Sequence, residues 1–300
     1  MRNQFNQIML EIAEHDEKAV MLIGDISHHL LKDYEKRFPD RFYNLGICEQ
    51  TLVGLASGLA MQGLRPVVHT IAPFCVERAY EQIKIDLCYQ KTDVTIVSVG
   101  SSFDYAHLGC THHCYEDVAI LRALPNIQIF VPGTSEEFKT LFTQTWGNGY
   151  PKYFKLSNKQ HGLKIKVDSS SHTVVRRGSG NIVIFVNGHL LDEVMQASTD
   201  EDTVVYLPVL SGLSETSKSE IATIVANKKV LIVEENAMIG GLGDLIFDIS
   251  SKFGVPISAK KIGIPNKFLT NYGKPEQHRE ALGLTVENIK KCLMEIKCTI

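Results

Sequence analysis

The length and composition of the chain describe a globular protein. It has 300 residues, of which 44% are hydrophobic and 22% charged, which supplies cores for two domains and excludes a disordered, collagenous or small disulfide-rich protein. The 31 lysines and arginines against 34 acidic residues give a net charge of −3, so we expect neither nucleic acid nor an anionic membrane as a partner.

We also expect neither a membrane span nor a signal peptide. No run approaches the roughly 18 consecutive apolar residues of a membrane span, and the start of the chain becomes acidic where a signal peptide needs an apolar centre. The seven cysteines are odd in number and include no CxxC pair, which fits free thiols in a reducing compartment. We therefore expect a cytoplasmic protein.

The first half of the chain alternates short β-branched apolar runs with amphipathic stretches. This alternation predicts strands and helices arranged around a parallel sheet. The predicted strands are Ala19–Ile23, Pro66–Thr70, Val94–Val99, Ile127–Val131 and Tyr153–Leu156. The predicted helices are Phe5–Glu14, Leu52–Met61, Val76–Gln90, Tyr115–Ala123 and Ser135–Trp146.

A polar, basic stretch from about Ser157 to Gly180 separates the two halves and predicts a covering hairpin followed by a linker. The alternation then resumes and predicts a second, mostly parallel sheet. The fold class is therefore α/β, with one domain over residues 1–165, a linker over 166–180 and a smaller domain over 181–300. The predicted strands of the second half are Ile182–Val186, Thr203–Tyr206, Lys229–Val233 and Ile257–Ile262, and its helices are Leu190–Gln196, Lys218–Ala226, Gly243–Phe253 and Thr285–Glu295.

Glu49 precedes a predicted helix that carries mostly glycine, alanine, serine and leucine. Such a helix lets other backbones approach closely. A carboxylate in the first turn commonly offsets the helix dipole, but an acid buried there could also face a heterocyclic cofactor. The residues alone leave both interpretations open.

The loop Gly109–Asp117 lies between a predicted strand and a predicted helix, where open α/β sheets bind ligands. Cys110, His112, His113 and Cys114 are residue types that hold zinc. Adjacent residues of a tight loop point in different directions, however, and no second Cys/His cluster completes the set. We therefore predict no metal site in this chain.

The segment Gly240–Gly243 is a glycine-rich turn between a predicted strand and a predicted helix. It lacks the full GxGxxG spacing of a dinucleotide site, so we expect it to serve a tight turn and close helix packing. The preceding pair, Glu234 and Glu235, is expected to cap this turn or to hydrogen-bond with it.

Together these segments resemble the thiamine-diphosphate-dependent transketolase family. The resemblance implies a pyrimidine-binding domain followed by a transketolase C-terminal domain. The matching segments run nearly end to end in the family's order, which is more specific than any single motif. They are Gly46–Gln50 (GIAEQ in the family), Arg65–Phe74 (the aromatic segment after RPV), Arg78–Gln82 (RAxxQ), Gly109–Asp117 (GxTHxxxED), Leu121–Asn126 (LRxxPN) and Glu234–Gly243 (EExxxxGGLG).

The resemblance implies roles for individual residues. Glu49 corresponds to the catalytic glutamate that hydrogen-bonds N1′ of the cofactor's aminopyrimidine, where a shared proton favours the tautomer that activates the cofactor. Phe74 corresponds to the aromatic ring that stacks on the pyrimidine, and Asp25 and Ile71 to further cofactor-binding positions. His112 corresponds to a catalytic histidine that faces the substrate's oxygens and donates to developing negative charge.

One half of a complete transketolase does not occur in this sequence. The family binds the diphosphate and Mg²⁺ through a GDG…N segment, and the chain has none. The resemblance therefore implies a two-chain enzyme, expected as an α2β2 heterotetramer, whose second subunit carries the diphosphate-binding domain and holds most of the Mg²⁺. Such an enzyme moves a two-carbon ketol unit from a ketose to an aldose, and this chain alone should be inactive.

The predicted substrate-binding positions depart from the family pattern. Leu108 replaces an aspartate that contacts the donor's hydroxyl, Asn158 replaces a phosphate-binding arginine, and Gly100 replaces a substrate-contacting histidine. Arg2 keeps one basic anchor, and His28 lies where the family places a polar substrate contact. Without a bidentate arginine we expect small sugar substrates other than the ordinary pentose-phosphate pair.

Two alternatives stay open at this point. Deoxyxylulose-phosphate synthases and the β subunits of 2-oxo-acid dehydrogenases share several segments but decarboxylate their substrates, although the β subunits usually carry HxSQ in place of THxxxED. A catalytically silent assembly subunit is the other alternative. The combination of Glu49, Phe74 and His112 argues against it, because a structural role does not require these three residues.

Overall fold

The structure, a computed structural model, describes residues 1–298. Its central strands are runs of β-branched and other apolar residues that are buried throughout, the composition expected of strands covered on both faces. In chain order the strands are β1 (Ala19–Ile23), β2 (Phe42–Asn44), β3 (Arg65–Ile71), β4 (Thr95–Val99), β5 (Gln128–Phe130), β6 (Lys152–Lys155), β7 (Thr173–Arg176), β8 (Ile182–Val186), β9 (Thr203–Tyr206), β10 (Val209–Ser211), β11 (Lys229–Ala237) and β12 (Ser258–Ile264).

Helices lie between the strands and cover the sheets. Side-chain caps begin several of them, since Thr134, Ser214 and Thr285 accept hydrogen bonds from the backbone N–H groups of Glu137, Ser217 and Asn288. No helix in residues 1–298 is long and apolar enough to cross a bilayer. The helices are α1 (Arg2–His15), α2 (Lys32–Arg37), α3 (Glu49–Met61), α4 (Ala72–Val76), α5 (Tyr80–Gln82), α6 (Asp117–Arg122), α7 (Ser135–Thr145), α8 (Leu191–Ala197), α9 (Glu215–Val225), α10 (Leu242–Lys252), α11 (Pro275–Ala281) and α12 (Val286–Cys298).

The strands form two mostly parallel sheets, which confirms the predicted fold class. The first sheet has the order β10-β5-β6-β4-β3-β1-β2, with β10 antiparallel to β5. The second has the order β12-β11-β8-β9-β7, with β7 antiparallel to β9. Because β1, β3 and β4 are parallel neighbours, the loops that follow them meet at one edge of the first sheet, where such folds bind ligands.

The prediction of one continuous helix over Val76–Gln90 is wrong. The chain turns at residues 77–79 between α4 and α5 and continues as a π-helical turn over Ile83–Tyr89. The apolar spacing continues through this interruption, so periodicity does not reveal it. The turn places Arg78 against Glu49, and π-helical turns often accompany functional sites.

The covering hairpin predicted after Ser157 is also wrong. In the described chain, residues 157–172 form neither a strand nor a helix, and β7, which falls in the predicted linker, is an edge strand of the second sheet. Charged residues are common on edge strands because one side faces solvent, so a basic composition is shared by linkers and edge strands. The domain boundaries at residues 165 and 181 stay a prediction.

The end of β11 joins the two halves of the chain. The Ser102 hydroxyl donates to the carbonyl of Glu235 at 2.6 Å, and the Ala237 N–H donates to the carbonyl of Tyr115 at 2.8 Å. Tyr115 belongs to the loop that precedes α6. The second half of the chain therefore supports the loop that contains His112.

Candidate active site

Glu49 begins α3 and is only 1% exposed. Its carboxylate accepts a hydrogen bond from the Arg78 guanidinium at 2.7 Å and one from the Thr70 hydroxyl at 3.3 Å. A buried carboxylate needs such partners to offset its lost hydration. Burial and the ion pair distinguish Glu49 from a surface acid that only offsets a helix dipole.

Phe74 lies in α4 next to this ion pair. The guanidinium carbon of Arg78 is 4.5 Å from the centroid of the Phe74 ring. One planar cation thus lies over an aromatic ring and hydrogen-bonds to a buried carboxylate at the same time. A flat nitrogen heterocycle would make the same two contacts, so Glu49 and Phe74 fit the pyrimidine of the cofactor. Ile71, also predicted to bind it, ends β3 just before α4.

His112 is directed toward Phe74. The two rings meet edge to face with centroids 5.1 Å apart, and Nδ1 of His112 is 2.9 Å from the Thr111 hydroxyl oxygen. Burial, together with the neighbouring His107, lowers the pKa of His112 and so favours the neutral imidazole. In the tautomer whose Nδ1 accepts the Thr111 proton, the ring proton is on Nε2, from which it can be donated to a ligand.

The other members of the Cys/His cluster point elsewhere. His113 lies against Phe103, with ring centroids 5.9 Å apart, and the buried Cys114 lies 3.9 Å from a carboxylate oxygen of Glu77. Cys110 is exposed. Within residues 1–298, no group of three or more metal-ligating side chains comes together.

Tyr105 also belongs to the site, although no sequence motif includes it. Its ring meets His112 edge to face at 6.2 Å, and its hydroxyl accepts a hydrogen bond from the Arg2 guanidinium. Glu49, Phe74, His112 and Tyr105, with Arg78 connecting the first two, thus form a continuous series, which we call the site row. Tyr105 packs against Gly100, and this glycine is the one feature of the sequence that relates to the position of the Tyr105 ring.

Asp25 follows β1 near the start of the site row. It is exposed, has a left-handed backbone with φ of 54°, and pairs twice with the Asn44 side chain, at 3.1 Å each. Asn44 also accepts from the Gly46 N–H at 3.0 Å. Asp25 is therefore tied to the loop that leads into Glu49.

Two predicted substrate residues differ in their placement. Leu108 is 42% exposed on the turn just before the His112 loop. His28 instead pairs with Glu35 at 2.9 Å and stacks on Phe42 at 6.0 Å. Leu108 therefore lies beside the site row, whereas the two residues that His28 contacts are not part of it.

A groove of about 380 Å³ opens beside Arg2. Among the described residues that line it, Arg2 is the only basic side chain, and the other polar ones are mainly amides. The nearby Lys159 forms an ion pair with Glu193, and neither of these two residues lines the groove. The polar residues lining the groove are Arg2, Asn3, Gln4, Gln7, Ser135, Asn158 and Gln160.

The glycine-rich turn before α10 has the structural role that was predicted. The Glu234 carboxylate accepts from the N–H groups of Leu242 at 2.7 Å and Gly243 at 3.0 Å. A Cβ on Gly240, whose φ is +75°, would lie 2.7 Å from that of Ala119. The first amides of α10 are therefore satisfied within the chain, and glycine permits close packing.

Two mostly parallel α/β sheets, with the site row at the edge of the first, are the arrangement found in thiamine-diphosphate-dependent enzymes. Residues 1–160 match the family model described as the transketolase pyrimidine binding domain, and the chain belongs to the transketolase family.

Relatives of similar length support this assignment. The chain is 32% identical over 264 residues to a subunit of the apulose-4-phosphate transketolase of Actinobacillus succinogenes, covering 85% of this chain and 84% of that protein. Its fold matches a solved split-gene transketolase, described as an inactive β4 tetramer, with a TM-score of 0.86 and 26% identity over 98% and 97% of the two chains.

A longer relative matches over part of its length. The 1-deoxy-D-xylulose-5-phosphate synthase of Lawsonia intracellularis is 29% identical over 309 aligned residues, which cover 97% of this chain but 47% of the synthase. The chain therefore spans about half the length of that relative.

Proposed function

We propose that this chain is one subunit of a two-chain, thiamine-diphosphate-dependent transketolase that transfers a two-carbon ketol unit from a ketose to an aldose. The observation that carries the proposal is the pairing of a buried carboxylate, Glu49, with an adjacent aromatic platform, Phe74. His112 lies 5.1 Å from that platform, next to where a reacting carbonyl would lie.

Glu49, Phe74 and His112 each have a defined task in this proposal. When bound, thiamine diphosphate supplies the electron sink that allows a carbon–carbon bond beside a carbonyl to break and re-form. Glu49 holds a proton at N1′ of the pyrimidine, and Phe74 supports the ring face. His112 donates its Nε2 proton to the substrate oxygen on which negative charge develops. Arg78, whose side chain is 43% exposed, moves aside when the pyrimidine binds.

A second chain completes the site. Ile47, beside Glu49, and Leu108, beside His112, are 69% and 42% exposed. Large apolar side chains on both flanks of a site suit coverage by another protein surface. The partner carries the diphosphate-binding GDG…N segment and most of the Mg²⁺ ligands, in an α2β2 heterotetramer. The names of the related apulose-4-phosphate transketolase subunit and of the split-gene neighbour support the division of such an enzyme between two chains.

The proposed substrates are sugars other than the ordinary pentose-phosphate pair. The groove beside Arg2 offers one guanidinium among amides and hydroxyls, and Lys159 is engaged by Glu193. A phosphate dianion is held best by several cations or a bidentate arginine. Hydroxyl groups, in contrast, are well matched by amide donors and acceptors.

The test is to reconstitute the chain with a partner that carries GDG…N, thiamine diphosphate and Mg²⁺, and to measure ketol transfer. We expect activity only with both subunits, and a drop in kcat of about 100-fold or more for Glu49→Gln, since acid–base groups contribute about 10²- to 10⁴-fold. Glu81→Gln, at an exposed glutamate, is the matched control.

The alternatives predict different results in the same assay. Release of carbon dioxide from pyruvate would favour a decarboxylating enzyme. Unchanged turnover of the Glu49→Gln enzyme would remove this residue from the mechanism and favour a silent assembly subunit. Robust turnover of xylulose 5-phosphate with ribose 5-phosphate would contradict the proposed substrate class.

A further inference from the structure

Tyr105 fills a space that exists only because residue 100 is a glycine. A Cβ placed on Gly100 would lie 2.5 Å from Cε2 and 2.6 Å from Cδ2 of the tyrosine ring. Gly100 also has a φ of +83°, a left-handed conformation that other residues rarely adopt. The missing side chain at position 100 therefore makes room for the aromatic ring at the end of β4.

The orientation of the Tyr105 ring is set by its neighbours. Its edges face His112 at 6.2 Å and His107 at 6.4 Å, and the guanidinium carbon of Arg2 lies 5.6 Å from its centroid. The hydroxyl oxygen accepts from Arg2. Because this bond uses a lone pair, the hydroxyl keeps its own proton for donation to another acceptor.

We propose that Tyr105 is a specificity-determining residue of the ketol transfer. Its hydroxyl donates to a hydroxyl oxygen on the sugar's carbon chain, next to the carbonyl that His112 faces. The same hydroxyl accepts a hydrogen bond from Arg2, so that this guanidinium is not free to bind a phosphate with both of its amino groups. The inference rests on the proposed function and adds the residue that favours ketoses, which carry a hydroxylated carbon chain, over ketol donors that have none.

The test compares Tyr105→Phe with the wild-type chain in the reconstituted two-subunit enzyme. The donors are fructose 6-phosphate, xylulose 5-phosphate, fructose and hydroxypyruvate, the last of which has no hydroxylated chain to reach Tyr105. For the ketose used best, we expect KM to rise about 5- to 20-fold, as when one hydrogen bond is lost. We expect kcat to change less than about twofold, and KM for hydroxypyruvate and the Kd of thiamine diphosphate to stay unchanged.

Two further variants make the comparison specific. Tyr89→Phe removes a hydroxyl from a tyrosine that is 77% exposed and should alter none of these constants. Gly100→Ala forces the Tyr105 ring from its place and should raise KM for the same ketoses. Thermal denaturation checks that this variant is folded.

Several results would overturn the inference. A ketose KM unaffected by Tyr105→Phe, or equal changes for ketoses and hydroxypyruvate, would show that Tyr105 does not select the sugar. A wild-type enzyme that turns over hydroxypyruvate but no ketose would also refute it. Absence of thiamine-dependent turnover with any donor would instead overturn the proposed function, and this inference with it.

Discussion

The end of β11, which joins the two halves of the chain, is braced by a buried arginine. Arg279 of α11 is 4% exposed and donates from Nε and Nη2 to the Glu235 carboxylate, the latter at 3.2 Å. Nε2 of His189 lies 3.1 Å from the same carboxylate. Burial opposes ionisation of Glu235, but His189 and Arg279 outweigh it and hold the pKa of this carboxyl well below its usual range.

Replacing Arg279 with methionine leaves Glu235 buried, with the His189 ring still in contact with its carboxylate. Removing one partner of a buried ion pair costs about 3–5 kcal/mol, and because His189 remains we expect about 3 kcal/mol at pH 7. At about 2–4 °C per kcal/mol, the thermal midpoint should fall by about 6–12 °C. The control Arg177→Met, at an exposed position, should change stability by less than about 0.5 kcal/mol.

The effect of Arg279→Met should depend on pH in a defined direction. The folded pKa of Glu235 is below its unfolded value of 4.5, so the stability it contributes is fully present above that pH and is lost as the pH falls below it. In the variant, the poorly paired carboxyl takes up a proton more readily in the folded state. The difference between wild type and variant should therefore shrink from pH 7 to about pH 4.

Thermal denaturation followed by circular dichroism at several pH values measures this difference. A loss below about 1 kcal/mol at pH 7 would show that the pair does not brace the fold. A loss that is the same at every pH would refute the assignment of the effect to the Glu235 charge.

Two further predictions concern the site and its cysteines. Arg78→Gln removes the cation that pairs with the buried Glu49 and should lower the free energy of unfolding by about 1–2 kcal/mol in urea; an unchanged urea midpoint would contradict a stabilising ion pair. Burial raises the pKa of the Cys114 thiol well above its usual value, whereas Cys110 is exposed. Iodoacetamide at pH 8 should therefore modify Cys110 well before Cys114, and equal rates by mass spectrometry would contradict the burial.

The site residues that could be predicted from the sequence are those that belong to family motifs. Phe74 and His112 were predicted from separate segments, and the structure places their rings 5.1 Å apart. Arg78 lay in a recognised segment, but its contact with Glu49 depends on the interruption of a predicted helix. Tyr105 lay in no motif, because its place depends on an absent side chain 5 residues earlier in the chain.

The amino-acid sequence by itself determined the two α/β domains, because short apolar runs that predict buried strands and amphipathic stretches that predict helices are local properties of the sequence. Only the tertiary structure decided that β7 and β10 complete the sheet edges, that the helix after Phe74 breaks, and that Arg78 meets Glu49. These features depend on hydrogen bonds and ion pairs between segments distant in the chain. Packing decides whether such partners meet, and the spacing of residues within one segment does not predict these contacts.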